Sequence, residues 1–198
     1  MLVRHGQTDW NLAGLWQGHA DRQLTDVGRA QAKALAEELV VQREADARAG
    51  LPDFDHIWVS DLSRARETAE FVAAALDLRI STDQRLRELD VGAWSGMPRA
   101  DIHARDERDL LAFEAGDPAI RAGGGESRIQ IRQRAHAFVE ARAEDSDGQR
   151  LIVVTHLGVI RALLPGAEPT NAERFEVHAQ EILDRGVDHS RRPEDGAL

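Results

Sequence analysis

The stretch LIVVTH, residues 151–156, decides the fold class of this chain. Its first four residues are apolar and mostly β-branched, which is typical of a strand that is buried on both faces of a sheet. Short apolar runs at residues 2–3, 56–59 and 78–80 predict three more strands. Helical patterns separate these runs, so we expect an α/β fold: a three-layer α/β/α sandwich around a mostly parallel sheet.

Helical patterns lie at about residues 25–48, 62–76, 98–115 and 128–144, and another begins after residue 156. Thr25 is the predicted N-cap of the first helix. We expect the buried stripe of that helix to consist of Val27, Ala30, Ala34 and Leu35. The second helix carries apolar residues at helical spacing, namely Leu62, Ala65, Ala69, Val72 and Leu76.

The length of 198 residues predicts a single domain, which we place at residues 1–184. Residues 90–126 are polar and rich in glycine, and they interrupt the alternation of strands and helices. We call them the cap segment and predict that they form a small helical and loop insertion. Residues 185–198 are polar, and we expect a frayed C-terminal tail there.

Composition excludes several function classes. A net charge of −10 argues against binding to nucleic acid or to an anionic membrane, although a local basic pocket could still take an anionic small molecule. The chain has no cysteine, which excludes a disulfide framework, a thiol nucleophile and a thiolate metal site. It also lacks a signal-peptide pattern and an 18-residue apolar run, so we expect a cytoplasmic protein. The oligomeric state stays open.

Cationic side chains follow three of the predicted strands. Arg4 and His5 end the first strand, Arg64 comes shortly after the second, and His156 ends the stretch LIVVTH. Because the carboxyl ends of parallel strands meet at one edge of a sheet, we expect these four residues to share a pocket. Arg64 would lie in the first turn of a helix, close to free N–H groups. The sequence therefore predicts a phosphate-binding site.

An ordered set of motifs strengthens this prediction. They are RHGQT at 4–8 with Asn11, a segment from Gln17-Gly18 to Gln31-Ala32, SDLSRA at 60–65 with Thr68-Ala69, LREL at 86–89 with the glycine-flanked Trp94, GGES at 124–127 and VTH at 154–156. In this order they resemble the histidine phosphatase superfamily, the phosphoglycerate mutase-like proteins. The resemblance runs from residue 2 to about residue 164.

The resemblance implies a reaction through a phosphohistidine. His5 would be the nucleophile, and Glu88 would protonate the leaving alcohol and later deprotonate water. Arg4, Arg64, Asn11 and His156 would donate hydrogen bonds to the phosphate. The remaining predicted substrate contacts are Gln17, Gly18 and Leu157. Since the arginines replace a cation, we expect neither a metal nor a cofactor.

Two residues depart from the family pattern. Ser95 stands where relatives carry a glutamate, so that one carboxylate of the pocket is missing. Leu157 stands where glycine is common, which could reshape the phosphate rim.

Glu88 has three acidic alternatives for the role of general acid, namely Asp61, Asp90 and Glu126.

Three functions are compatible with these residues. The leading hypothesis is a hydrolase that acts on a small-molecule phosphomonoester. A phosphoglycerate mutase would use the same chemistry but return the phosphoryl group to its substrate, and such mutases tend to be longer. A phospholigand-binding module without turnover would need neither a neutral histidine nor an acid. The sequence does not identify the substrate, which depends on the cap segment.

Overall fold

The computed structural model describes residues 1–145 and 148–187. Its strands are β1 (Leu2–Arg4), β2 (Phe54–Val59), β3 (Ile80–Thr82), β4 (Arg150–Thr155) and β5 (Arg174–Phe175). Its helices are α1 (Asp9–Leu12), α2 (Asp26–Arg48), α3 (Ser63–Leu76), α4 (Arg99–Glu114), α5 (Arg128–Asp145), α6 (Leu157–Leu163) and α7 (Ala179–Val187). Residues 188–198, most of the predicted tail, lie outside the described residues.

The strands form one sheet in the order β3-β2-β4-β1-β5. β4 lies at its centre and pairs in parallel with both neighbours, so that Leu2 faces Val153 and Ile57 faces Ile152. The edge strand β5 is antiparallel to β1. Three of the predicted strands correspond to β1, β2 and β4, whereas the strand predicted at residues 78–80 shares only Ile80 with β3. The prediction of a mostly parallel sheet is confirmed.

The central strand β4 is buried on both faces, as its apolar run predicts. Val153 belongs to a core that includes residues of α5 and α6, such as Phe138 and Ile160. Ile152 and Val154 point the other way, into a core with residues of α2 and α3. Alternate side chains of one strand thus serve two cores. The sheet lies between two helix layers, which confirms the three-layer α/β/α sandwich.

Helix α2 buries a different face from the one that we predicted. Thr25 is its N-cap and accepts a hydrogen bond from the Gly28 amide at 3.0 Å. However, Val27 is 54% exposed, and of the predicted stripe Leu35 alone is buried. The buried positions are Gly28, Ala32, Leu35, Ala36 and Leu39. The reason is a close backbone approach, because a Cβ atom on Gly28 would lie 2.1 Å from the carbonyl oxygen of Gln7. The predicted stripe of α3 is buried throughout.

The cap segment contains α4 and two 3₁₀ turns, Gly92–Trp94 and Ala122–Gly124. Its anchor is Trp94, which is buried and donates from Nε1 to Asp106 at 2.8 Å. The rings of Trp16 and Trp94 meet edge to face, with centroids 5.4 Å apart. These contacts attach the segment to the loop that follows α1 and place it beside the carboxyl edge of the sheet.

Candidate active site

The predicted site residues come together at the carboxyl edge of the sheet. Arg4, His5 and Arg64 line one cavity of about 1260 Å³. His156 is fully buried beside it, and its ring centroid lies 5.1 Å from that of His5. The other predicted residues that line this cavity are Asn11, Gln17, Gly18, Glu88 and Leu157.

His5 is fixed in one orientation and one protonation state. It is 2% exposed, and its Nδ1 atom lies 2.7 Å from the carbonyl oxygen of Gly6. Since a carbonyl can only accept, this contact assigns the proton to Nδ1 and leaves the lone pair on Nε2. Burial lowers the pKa of His5 well below its usual value, and the charges of Arg64 and Arg4 lower it further. The ring is therefore neutral at pH 7.

The backbone around His5 is held from two sides. The Gly6 amide donates to the hydroxyl of Thr68 at 3.0 Å, and that hydroxyl donates to the carbonyl of Arg64 at 2.8 Å. On the other side, Asn171 donates to the carbonyl of His5 at 3.1 Å. Position 6 requires glycine, because a Cβ there would lie 2.5 Å from the Gly28 carbonyl oxygen.

Sequence reasoning assigned no role to Thr68 or Asn171. Thr68 belongs to a motif that we had identified, so a signal for it was available. Asn171 follows the last segment that resembles the family, and nothing in the sequence pointed to it.

Arg64 is a buried cation with a fixed direction. It is fully buried, and its two terminal nitrogens donate to the carbonyls of Ala20 and Gly18 at 2.8 Å each. Its Nε atom is buried without a hydrogen-bond partner among the described residues. Burial lowers the pKa of Arg64 to about 10, against the opposing effect of the Glu88 charge. The guanidinium group therefore stays charged at neutral pH.

Arg4 and His156 also have buried polar atoms without partners. Arg4 donates from Nη1 to the carbonyl of Pro169 at 2.7 Å, while its Nε atom and both ring nitrogens of His156 have no partner in the part of the chain that the structure describes. Burial lowers the pKa of His156 well below its usual value, with a further contribution from Arg64. Because buried polar groups normally have partners, these atoms suit a ligand with several acceptor oxygens.

Glu88 is one of two acidic residues that line the cavity, the other being Glu140 of α5. Its Oε1 atom accepts hydrogen bonds from the amides of Leu89 at 2.7 Å and Gly158 at 3.0 Å. Arg134 braces this loop by donating to the carbonyl of Glu88 at 2.8 Å and to the Glu126 carboxylate. Only one carboxylate oxygen of Glu88 is engaged by these bonds, so the other is available to a substrate.

The three acidic alternatives are engaged elsewhere and do not line the cavity. Asp61 accepts from Arg87 at 2.7 Å, Asp90 accepts from the Gly92 amide at 2.9 Å, and Glu126 is paired with Arg134 at 2.8 Å. The geometry therefore favours Glu88 for acid–base chemistry.

The two departures from the family pattern have structural consequences. Ser95 donates to the carbonyl of Gln17 at 3.1 Å, so it supports the Gln17 loop instead of presenting a carboxylate. Leu157 adds an apolar side chain to the cavity wall.

At Asn11, Oδ1 accepts from the Thr8 amide at 3.0 Å, which leaves the Nδ2 group as the donor for a substrate.

Neither a metal centre nor a membrane span is found in the described ranges. Across residues 1–145 and 148–187, no three histidine, cysteine, aspartate or glutamate side chains are grouped so that they could hold a metal ion. In the same ranges, no helix has the length and apolarity that are needed to cross a lipid bilayer.

Fold and site together define an α/β enzyme with an anion pocket built around a histidine. The family model described as histidine phosphatase superfamily (branch 1) matches residues 1–185. The chain therefore belongs to the histidine phosphatase superfamily, which confirms the resemblance and the prediction of a phosphatase-type enzyme.

Individual relatives agree with this assignment. Phosphoglycerate mutase-like protein 4 of Arabidopsis thaliana is 35% identical over 172 residues, which cover 86% of this chain and 71% of that protein. A mycobacterial glucosyl-3-phosphoglycerate phosphatase structure is 34% identical with a TM-score of 0.71, covering 82% of this chain and 77% of the other. An Escherichia coli structure described as a putative alpha-ribazole-5'-P phosphatase is 27% identical with a TM-score of 0.70, covering 92% and 82%.

Proposed function

We propose that the protein hydrolyses small-molecule phosphomonoesters by transferring the phosphoryl group first to His5 and then to water. The observation that carries this proposal is the hydrogen bond between His5 Nδ1 and the Gly6 carbonyl. It holds the proton on Nδ1 and leaves the Nε2 lone pair as the nucleophile in a ring that is neutral at pH 7.

The first step forms a bond from His5 Nε2 to phosphorus and breaks the bond from phosphorus to the alcohol oxygen. Arg4, Arg64 and His156 donate to the phosphoryl oxygens, where negative charge must be stabilised. These donors are already fixed by backbone carbonyls and by burial, so little reorganisation is needed at the moment of reaction. Asn11 and Gln17 contribute further contacts from the loop side of the cavity.

Glu88 supplies and then recovers one proton. It donates its proton to the leaving alkoxide in the first step. In the second step Glu88 accepts a proton from water. The oxygen of that water bonds to phosphorus as the bond from phosphorus to His5 Nε2 breaks, which releases inorganic phosphate and neutral His5. The amide bonds from Leu89 and Gly158 hold its carboxyl group at the cavity.

A mutase is the second candidate, because relatives carry both kinds of name. The two functions differ in the acceptor of the phosphoryl group. A screen of phosphomonoesters with the purified protein, read out as released inorganic phosphate, tests the hydrolase. We expect release from a generic aryl phosphate, and interconversion of 2- and 3-phosphoglycerate without net phosphate release would favour the mutase.

We further propose that the reaction needs no divalent metal, because arginines supply the positive charge at the phosphate. Phosphate release should therefore persist in a strong chelator. Loss of activity on chelation, with rescue by a divalent cation, would contradict this mechanism. A cytoplasmic location stays a prediction from the cysteine-free composition, and cell fractionation tests it.

A further inference from the structure

Three arginines that line the cavity, Arg128, Arg132 and Arg161, have no part in the reaction proposed above. Two of them, Arg128 and Arg161, have Nε atoms that are buried without a hydrogen-bond partner among the described residues. Arg128 is the first residue of α5, and Arg161 lies in the last turn of α6. Both line the same cavity as His5. A cavity that needs to hold one phosphate is already served by the cationic groups around His5, so these additional positive charges require another explanation.

The position of Arg161 follows from the geometry of α6. Leu157 and Arg161 both line the cavity and are four residues apart, so they lie on the same face of the helix. A rise of 1.5 Å per residue puts their backbones about 6 Å apart along the helix axis. Since Leu157 directly follows His156, Arg161 lies about one helical turn along α6 from the start of the helix beside the phosphate pocket.

The positive charge of Arg161 affects the pKa values of two other arginines. It lowers the pKa of Arg4 in the phosphate pocket and that of Arg128, in each case as a smaller effect than burial. Arg161 is therefore near both Arg4 and Arg128, and all three line the same cavity.

Both arginines keep free donor atoms. Arg128 donates from Nη2 to the Phe113 carbonyl at 3.1 Å and stacks 4.3 Å from the centre of the Phe113 ring. Arg161 forms an ion pair through Nη2 with Glu168 on the surface. The Nε atoms of both arginines are buried without a hydrogen-bond partner among the described residues. Leaving such donors unpaired is costly, so an acceptor from a ligand would be favourable.

The cavity wall that these arginines share with the pocket is largely apolar. Its apolar residues include Leu15, Trp16, Val91, Phe113, Ile129 and Ile131. An apolar wall with charged groups at two separated places selects a ligand with an apolar body and an anionic group at either end.

We propose that Arg128 and Arg161 form a second anion subsite, so that the preferred substrate is a phosphomonoester with a second anionic group, a carboxylate or a phosphate, on an apolar body. This rests on the proposed phosphatase function, with the reacting phosphate at His5. The subsite determines specificity and takes no part in breaking the ester bond.

The test compares 4-carboxyphenyl phosphate with 4-carbamoylphenyl phosphate, which has nearly the same shape without the charge. Each kcat/KM is measured for the native protein, Arg161→Met, Arg128→Lys and Arg128→Met. The control is Arg108→Met, which removes one exposed charge from α4 outside the cavity. Comparing each variant with the native protein on both esters cancels the intrinsic difference between the two leaving groups.

For Arg161→Met we expect the kcat/KM of the carboxylate ester to fall by roughly tenfold or more, the usual size of a lost charge-assisted hydrogen bond. The amide ester should change less than about threefold, and Arg108→Met should change neither by more than this amount. Arg128→Met should lower the kcat/KM of the carboxylate ester as Arg161→Met does. Arg128→Lys keeps the positive charge, so it should retain most of the preference for the carboxylate ester over the amide ester.

Benzene-1,4-diyl bisphosphate extends the test to the other anion. If its kcat/KM depends on Arg161 more strongly than that of the carboxylate, the natural second group is a phosphate, and the reverse result assigns a carboxylate.

Equal losses of kcat/KM on the charged and the amide ester would overturn the subsite while leaving the proposed phosphatase function intact. If no ester is hydrolysed by the native protein, the proposed function itself is wrong. Binding of 4-hydroxybenzoate, measured by calorimetry for native protein and Arg161→Met, then decides the subsite separately: equal affinities, or no binding, would overturn it.

Discussion

The inner and outer parts of the active-site cavity are built in different ways. The inner pocket, formed by Arg4, His5, Arg64 and His156, consists of side chains at strand ends, and backbone carbonyls hold three of them in place. The outer cavity, formed by Arg128, Arg161 and Phe113, relies on ring stacking and on an ion pair with the exposed residue Glu168. The inner pocket is preorganised for one chemical step, whereas the outer cavity can vary with the substrate. The following predictions test this division.

The largest effect is expected at the nucleophile of the inner pocket. Replacing His5 by Gln should lower turnover by at least roughly 10³-fold, because the covalent pathway is lost. The native protein, quenched during turnover, should yield an acid-labile and base-stable phosphoenzyme that the variant does not form.

His136 provides a matched control, because it is a histidine that lines the same cavity and has no part in the proposed reaction. His136→Gln should retain native-like turnover with an aryl phosphate. Near-native turnover of His5→Gln would disprove the phosphohistidine mechanism.

Glu88 should show an effect that depends on the leaving group. Glu88→Gln should slow an alkyl phosphate by roughly 10²-fold or more and a nitrophenyl phosphate much less, because a poor leaving group needs the proton. Rapid-quench measurement of phosphoenzyme formation with both esters separates the first step from the second. The control is Glu140→Gln, which removes the other carboxylate that lines the cavity. If Glu88→Gln slowed phosphoenzyme formation equally for both esters, another group would be the acid.

A smaller effect is expected from a substitution at Gly158. It displaces the carboxyl group of Glu88 without removing it. A Cβ atom at this residue would lie 2.2 Å from Oε1 of Glu88, so Gly158→Ala must displace the carboxyl group. We expect kcat for an alkyl phosphate to fall by roughly tenfold while the urea midpoint stays within experimental error. In the double variant with Glu88→Gln the two losses should not add, because both act through the same carboxyl group. Additive losses would show that Gly158 acts elsewhere.

The smallest effect concerns stability and pH. The pKa values of His5 and His156 lie well below 6.5 in the folded protein, so the unfolded chain binds more protons below that pH. The free energy of unfolding should therefore fall as the pH decreases from 6.5, with a slope of up to about 1.4 kcal/mol per pH unit for each histidine. Urea unfolding of native protein and His156→Gln at several pH values measures this slope.

The His156→Gln variant should lose about half of the slope that the two histidines cause. A slope that is the same in native protein and His156→Gln would mean that His156 is not held neutral by the fold.

Much of the fold and of the inner pocket could be predicted from the sequence. The apolar run of β4 and the helical patterns define the layers, because period and apolarity are local properties of the chain. The positions of Arg4, His5, Arg64 and His156 after strands predict that they meet, because parallel strands end at one edge.

The face that α2 buries could not be predicted in this way. Val27 is as apolar as a core residue, but the contact of the Gly28 backbone with Gln7 turns it toward solvent. That contact joins two segments whose distance in space does not appear in a local pattern. The outer cavity was missed for the same reason, because Arg128 and Arg161 look like ordinary surface charges in the sequence.

The sequence by itself thus determined the layers, the strand ends and the residue types of the inner pocket, since these follow from local periodicity and from one topological rule. Only the tertiary structure decided how those residues are held. The tautomer of His5 depends on the direction of one carbonyl, the support of its backbone depends on Asn171, and the carboxyl group of Glu88 is positioned by the amide of Gly158. Each of these is a hydrogen bond whose strength depends on tenths of an ångström and on angle, and such precision arises only when the whole chain has packed.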